Sequence, residues 1–386
     1  MTHPDPPTAN PPTPGSGTGG PPVADAAAAG FGTAGPSIAD PAAGACPVPR
    51  AETERVLLGH GSGGQLTAEL LNDLLLPALG PSATTGPRQD AAVLPLGPLD
   101  LVMSTDSFVV SPLFFPGGDI GALAVHGTIN DVAMMGAEPL ALSIAYVIEE
   151  GFPLADLRRV AESVGRAATS AGVPVVTGDT KVVDRGAADK LFITTTGIGR
   201  RLPDATPSAD GGRPGDAVLL SGPIGLHGTT VLNARMDLGI EADLASDTRP
   251  LHTLVRTMIE TAGPAVHTLR DPTRGGLAAA LGELATDSAI CVELDEPNLP
   301  VPPPVAATCE LLGLDPLHVA NEGCLVAFVA PTHTDTLLTA MHPLAPDSRQ
   351  IGTLTKSPPG RVQMRTLLGA HRIIDIPLGE QLPRIC

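Results

Sequence analysis

Short apolar runs alternate along the chain with stretches whose apolar positions recur every three or four residues, the rhythms of strands and helices. Leu101-Val102-Met103-Ser104-Thr105 is a short strand, and Asp119 to Met135 is helical with Gly136 as its C-terminal stop. Leu140 to Ile148 reads as a strand. Leu154, Leu157, Val160, Ala161, Val164 and Ala168 mark one helix face, and strands Val173–Val176 and Leu191–Gly197 follow. Pro203, Pro207, Gly211, Gly212 and Pro214 crowd the stretch from Arg200 to Gly215, which reads as a domain boundary. Beyond it the pattern predicts strand Ala217–Leu220, helices Thr248–Thr261 and Pro272–Ala285, and strand Ile290–Leu294. Helix Val305–Leu312, strand Gly323–Val329 and helix His333–Met341 complete the series. Two α/β domains result, spanning 54–202 and 203–373, with an extended, mobile tail over 374–386 that carries Pro377 and Pro383.

Composition changes the picture at the N-terminus. Residues 1–50 hold twelve Pro and eight Gly with almost no bulky apolar side chains. Such a segment buries too little surface to offset its ordering entropy, so 1–53 is expected to be disordered. The remainder is apolar enough for two cores, but aromatics are only 2 % of the chain. Those cores must be built from aliphatic side chains. A net charge of −18 with no basic run argues against nucleic acid and anionic membranes as partners. No apolar run is long enough to span a bilayer, and no signal peptide is visible. Five cysteines without a CxxC spacing favour free thiols and the cytoplasm.

Several segments carry candidate chemistry. Gly59-His60-Gly61-Ser62-Gly63-Gly64 fits a glycine-rich phosphate loop before a helical run from Leu66, with Gly61, Gly63 and Gly64 letting backbone amides approach a phosphate. The same pattern at Gly15–Gly20, inside the Pro-rich extension, shows how little it specifies alone. No GxxxxGK[ST] occurs, which excludes a P-loop. Asp90, Asp106 and Asp131 sit beside or within apolar elements, where a carboxylate is costly unless paired or metal-bound. Taken singly they are caps or surface acids; converging, they suit Mg²⁺ and phosphate. Thr177-Gly178-Asp179-Thr180-Lys181 follows strand Val173–Val176, at the strand end where α/β proteins place ligands, although a lone lysine is more often a solvated charge. Asp271-Pro272-Thr273-Arg274 opens a helix, with Asp271 as its cap and Arg274 able to face a phosphate. Asn321-Glu322-Gly323 is a turn, and Cys386 is a thiol on the last residue, suited to a mobile carrier.

Read together, HGSGG at 60–64, STDSFVVSPLFFPGGDIG at 104–121, GTINDVAMMGA at 127–137, VTGDTKVVDRGAADKLFI at 176–193, DPTRGG at 271–276, NEG at 321–323 and PRIC at 383–386 resemble the HypE family of hydrogenase maturation factors. The resemblance runs from about Leu58 to Cys386. It implies a two-domain α/β (α+β) fold like that of aminoimidazole ribonucleotide synthetase, in a homodimer whose N-terminal domains pair through sheets. It implies ATP and Mg²⁺ as cofactors, with Asp90, Asp106 and Asp131 as metal ligands. Gly61, Gly63, Gly64, Asn130, Thr177, Gly178, Asp179 and Arg274 join them at the nucleotide. Cys386 would carry a thiocarboxamide that ATP-dependent dehydration turns into a thiocyanate, the source of cyanide for the iron of [NiFe]-hydrogenase. Lys181 and Glu322 are the candidates for phosphate stabilisation and proton removal, and the sequence does not choose the base. The implied partners are the carbamoyltransferase HypF, which loads Cys386, and the HypC–HypD complex, which receives cyanide.

Three features depart from the pattern. Gln89 stands where a second Asp is expected, Cys324 follows the NEG turn, and the N-terminal extension is long. A selenophosphate synthetase-like activity is the nearest alternative, but no reactive Cys lies near HGSGG. A non-catalytic scaffold is the other, and would show no ATP turnover dependent on Asp106.

Overall fold

Strand runs of the first half pair into a five-stranded sheet and a small two-stranded one, and those of the second half into a seven-stranded sheet. The computed structural model describes residues 55–61, 63–80, 86–236, 244–376, 382 and 384–386. The expectation of disorder over 1–53, including Cys46, and the positions of Ser62, Pro377 and Pro383 lie outside these residues. Helices α1 (Gln65–Glu69) and α2 (Leu76–Leu79) follow the glycine loop, joined by a wider helical turn over Leu70–Leu75. Next come β1 (Ala92–Leu96), β2 (Leu99–Phe108), β3 (Phe114–Phe115), β4 (Gly118–Asp119), α3 (Ile120–Met134), β5 (Ala137–Glu149), α4 (Leu154–Ala171), β6 (Val175–Val183) and β7 (Leu191–Arg201). The second half runs β8 (Ala217–Leu220), α5 (Leu226–Met236), α6 (His252–Ala262), β9 (Val266–Arg270), α7 (Gly276–Asp287) and β10 (Cys291–Asp295). It ends with α8 (Pro303–Leu312), β11 (Val326–Val329), α9 (Thr334–Met341), β12 (Arg349–Thr355), β13 (Arg361–Arg365) and β14 (His371–Ile374).

The first sheet has the order β1-β2-β7-β5-β6, antiparallel except where β5 meets β6. The second has the order β14-β13-β10-β12-β8-β11-β9, with β10 and β13 its parallel pair. This mostly antiparallel pairing makes the fold mixed α+β. Helix α3 is buried on nearly every side because its sequence is apolar all round. Asp119 caps it, accepting from the N–H groups of Gly121 and Ala122 at 2.8 and 3.0 Å. On α4 the buried stripe is Val160, Val164, Ala167, Ala168 and Ala171, whereas Leu154 and Ala161 of the expected face are exposed.

The cores cross between the halves. Val231, Ala320 and Ile385 pack with Phe108, Ile120 and Leu123, while Ala133 and Met134 of α3 join Leu219, Val255 and Leu325. Polar ties do the same. Arg256 forms a two-pronged pair with Glu138, and the Gln89 amide bonds the Ser208 hydroxyl and the Ala209 N–H.

Several expected elements shift. Thr177 to Lys181 do not follow a strand end; they lie inside β6, an exposed edge strand paired on one side to β5. Pro250 delays α6 to His252, leaving 244–251 as an extended strap. Helix α7 starts at Gly276, capped by Gly275 with φ of 76°, so Asp271 is not its cap. Helix α5 and strands β1, β12, β13 and β14 are elements that the reading of the pattern does not include.

Candidate active site

Alternation along β2 turns Ser104, Asp106 and Phe108 to one face, toward α3. Asp131 projects from α3 to meet them, and the Ser104 hydroxyl donates to its carboxylate at 2.6 Å. Asp90, just before β1, lies beside them, and β9 delivers Arg270 and Asp271 from the second half as it ends. Together these side chains line a cavity of about 760 Å³, within the range of small-ligand sites. Gly63 and Gly64 form part of its wall. Gly63 has φ of +81°, and a Cβ there would stand 2.8 Å from the Arg274 Cβ, so only glycine lets the loop close on Arg274.

The cavity is strongly acidic and partly buried. Asp90 is pushed up to about 6, chiefly by burial and further by Glu283 and Asp106, against the lowering pull of Arg270. Asp131 and Asp271 lie well above the ordinary carboxylate range, through burial first and then mutual repulsion. Glu322 is raised in the same way by burial, Asp271, Asp247 and Asp106. Its Oε1 is buried without a hydrogen-bond partner among the described residues. A buried acid left so, in a cavity with like charges, points to a bound group with compensating charge or protons. Two cations offset part of this field. Arg270 is buried, with Nε 3.1 Å from Asp90 and one terminal nitrogen 3.2 Å from Glu283. Arg274 faces the cavity, with Cys386, Asp106 and Glu322 as its neighbours there.

The chain terminus closes the site. Cys386 lines the cavity wall, and burial with the neighbouring Glu322 pushes its thiol well up. The expected free tail therefore ends docked: Arg384, Ile385 and Cys386 lie against Val109–Ser111.

Gly61, Gly63, Gly64, Asp90, Asp106, Asp131, Arg274, Glu322 and Cys386 thus share one cavity. Five candidates do not. Thr177, Gly178, Asp179 and Lys181 sit on exposed β6, where Lys181 pairs with Asp179 at 2.5 Å. Asn130 is buried beside the site with its amide spent on backbone, donating to the Arg249 and Glu322 carbonyls and accepting from Leu251 N–H. It braces the Glu322 turn and does not reach the cavity. Nor do three carboxylates close around one point: among the described residues no such group is placed to hold a metal ion by itself. Asp271, Arg270 and Glu283 are cavity residues that the motif reading missed or assigned elsewhere. The signal for Arg270 and Asp271 was the end of a strand, which Pro272 disguised as a helix start, whereas Glu283 sits within α7.

The family of AIR synthase related proteins matches this chain twice, its N-terminal domain over residues 88–201 and its C-terminal domain over 213–365. Carbamoyl dehydratase HypE of Cupriavidus necator is 52 % identical over 335 residues, covering 86 % of this chain and 95 % of that protein. The chain belongs to the HypE family of carbamoyl dehydratases. Among solved structures, a HypE in complex with ATP superposes with a TM-score of 0.72 at 46 % identity, covering 86 % of this chain and all of that one. A HypE–HypF complex gives 0.74 at 42 % identity, covering 81 % of this chain and 100 % of that chain. Within the HypE frame, Gln89 has a local explanation. Where a second acid is expected, its amide is committed to Ser208 and Ala209, tying the halves together beside Asp90.

Proposed function

We propose that this chain uses ATP, with Mg²⁺, to dehydrate a thiocarboxamide carried on Cys386 to a thiocyanate. The observation that carries the reading is the docking of Cys386 into the cavity that holds Asp106, Arg274 and Glu322. A carboxamide oxygen is a poor leaving group. Its attack on the γ-phosphorus, with one N–H proton given up to solvent, transfers a phosphoryl group to it and releases ADP. Loss of the remaining N–H proton and of phosphate then leaves the nitrile carbon bound to sulfur. Mg²⁺ supplies neutralisation of phosphate charge in such chemistry. Asp106 and Asp131, with Asp90, are the residues to hold it. Incomplete protein coordination suits a cation that takes its other ligands from phosphate and water. Arg274 and the amides of Gly63 and Gly64 would orient phosphate oxygens. Glu322 is the proton acceptor in this reading: it lines the cavity with the carrier, and bound Mg²⁺ would offset the acidic field that otherwise favours its protonated form.

In the docked pose the thiol is protonated and a weak nucleophile. Loading by a carbamoyltransferase such as HypF therefore takes place with the tail released, as does delivery of cyanide to a HypC–HypD complex. A homodimer paired through the first sheet is the assembly that fits its two open edges. Leu94, Leu96 and Leu99 on or beside β1 and Val176 and Val182 on β6 are exposed there. Lys181 lies on the β6 edge, so the phosphate or proton role that the resemblance implies is one that pairing of two copies would have to assemble. No helix of the described residues is long and apolar enough to cross a membrane. Free thiols at Cys291, Cys309, Cys324 and Cys386 support a place in the reducing cytoplasm.

The test is intact mass of the full chain incubated with the carbamoyltransferase, carbamoyl phosphate and ATP. The expected product is a cyano adduct at Cys386, lighter than the carbamoyl adduct by one water. An equal adduct on the Cys386→Ala chain would overturn the carrier assignment.

A further inference from the structure

The terminal tripeptide runs antiparallel to Val109–Ser111, just beyond β2, as an irregular segment in which Arg384 has φ of +52°. Val109 N–H donates to the Cys386 carbonyl at 3.1 Å and Ser111 N–H to the Arg384 carbonyl at 3.2 Å. Arg384 Nε returns a bond to the Val109 carbonyl at 3.0 Å. The intervening Ile385 carbonyl turns away from Val109–Ser111 toward α5, from a residue whose side chain is 3 % exposed among apolar neighbours. A carbonyl left alone there would be costly. It meets the Nε2 of His227, from α5, at 2.9 Å.

His227 is itself buried, its ring edge-on to Phe115, and burial lowers its basicity, so the imidazole is neutral. One ring nitrogen then carries a proton and the other does not. The Ile385 carbonyl can only accept, which puts the proton on Nε2. Nδ1 must then accept, and the Ser246 hydroxyl stands 2.7 Å from it. The hydroxyl oxygen in turn accepts from Thr248 N–H at 3.2 Å, which leaves its proton for His227. The chain of donors runs in one direction, from the 244–251 strap to the carrier tail.

We propose that His227, held as the Nε2–H tautomer by Ser246, is a positioning residue that seats the Cys386 arm in the reaction cavity. The role rests on the reading of Cys386 as the carrier. The bond acts on the residue next to the reacting thiol, so it sets how often the thiol occupies the cavity and leaves the chemical groups untouched. The same strap holds the other side of the site: the Asp247 carboxylate accepts from the N–H groups of Glu322 and Gly323 at 3.1 and 3.0 Å. Two consecutive strap residues thereby keep the arm and the Glu322 turn in register.

The experiment measures thiol alkylation by iodoacetamide in the unloaded full chain, followed peptide by peptide. Docked Cys386 is half-buried and its thiol is held protonated, so its rate reports the released fraction. His227→Phe keeps an aromatic ring of similar size but has no donor. It should speed Cys386 alkylation by roughly tenfold, the weight of one buried hydrogen bond. His227→Gln restores a donor near the Nε2 position and should bring the rate back to within about twofold of the parent. Ser246→Ala removes the tautomer control and should give roughly threefold. Slow alkylation of Cys291, Cys309 and Cys324 in each variant marks an intact fold. A folded His227→Phe chain with an unchanged Cys386 rate would overturn the proposal, as would His227→Gln behaving like His227→Phe. If His227→Phe does not fold, Ser246→Ala decides, and an unchanged rate there overturns it. Because no carbamoyl group is involved, these results stand apart from the mass test of Cys386 as carrier.

Discussion

Arg270 places its Nε 3.1 Å from the Asp90 carboxylate, joining the last residue of a strand in one sheet to the approach to the other. The pair is buried, and the same guanidinium also meets Glu283 and the Arg88 carbonyl. Removing one partner of such a pair leaves the other charges uncompensated. Arg270→Met is expected to lower stability by about 3–5 kcal/mol. Denaturant unfolding measures this, and a loss below about 1 kcal/mol would mean that Arg270 does not hold the acids.

The acidic cluster sets a pH dependence with a definite sign. Asp271 has a folded-state pKa well above its ordinary 3.8, so the folded chain holds its proton more tightly than the unfolded chain. Its stabilising contribution is complete below about pH 4 and is lost as pH rises through the folded value. Asp271→Asn should therefore raise the melting temperature more at about pH 8 than at about pH 4.5. His126, pushed down to about 4, works in the opposite direction, losing stability as pH falls below its ordinary 6.5. That term is common to both chains and cancels in the comparison. A gain independent of pH would contradict the buried, repelled carboxylate.

Asp106→Asn removes one charge from the cavity at nearly constant shape. ATP turnover should fall by at least about a hundredfold, the scale of losing one transition-state charge contact. Circular dichroism should show an unchanged fold. Turnover near that of the parent would take Asp106 out of the phosphate site.

The Glu322 turn has no room for a side chain after it. A Cβ at Gly323 would stand 1.7 Å from the Asp247 carbonyl oxygen, so the strap or the turn must move. Gly323→Ala should cost about 3 kcal/mol, and dehydration should fall with it as Glu322 is displaced. Thermal melting alongside the mass assay checks both, and a fully active, equally stable variant would show that the turn is free to shift.

Residues appended after Cys386 should be nearly as damaging as Cys386→Ala. The terminal carbonyl is bonded to Val109 N–H and the side chain lines the cavity wall, so added chain must displace the docked tail. Intact mass after loading would show the carbamoyl adduct accumulating without losing water. Normal conversion would argue for chemistry outside this cavity.

The sequence by itself determined the local features of this protein: the helix of Asp119–Met135, the strands around it, the glycine loop, and the thiol on the last residue. These follow from side-chain periodicity and from residue types with few conformational options, which act over a few neighbours. It also singled out Asp90, Asp106, Asp131, Arg274 and Glu322, which the fold brings to one cavity. The tertiary structure alone decided what lies beside what. Thr177 to Lys181 read as a strand end, but pairing with β5 carries that strand through to Val183 and puts Lys181 on an outer edge. Asp271 read as a helix cap, but the chain continues through Pro272 to a Gly275 cap and leaves the carboxylate among the cavity acids. Asn130 read as a ligand, but the strap that arrives from residues 249–251 consumes its amide. His227 and Ser246 carried no signal at all, because they acquire a partner only when Ile385, 158 positions further on than His227, folds back against them. Pairings over such separations depend on which apolar faces bury together, and no local pattern of residues encodes that choice.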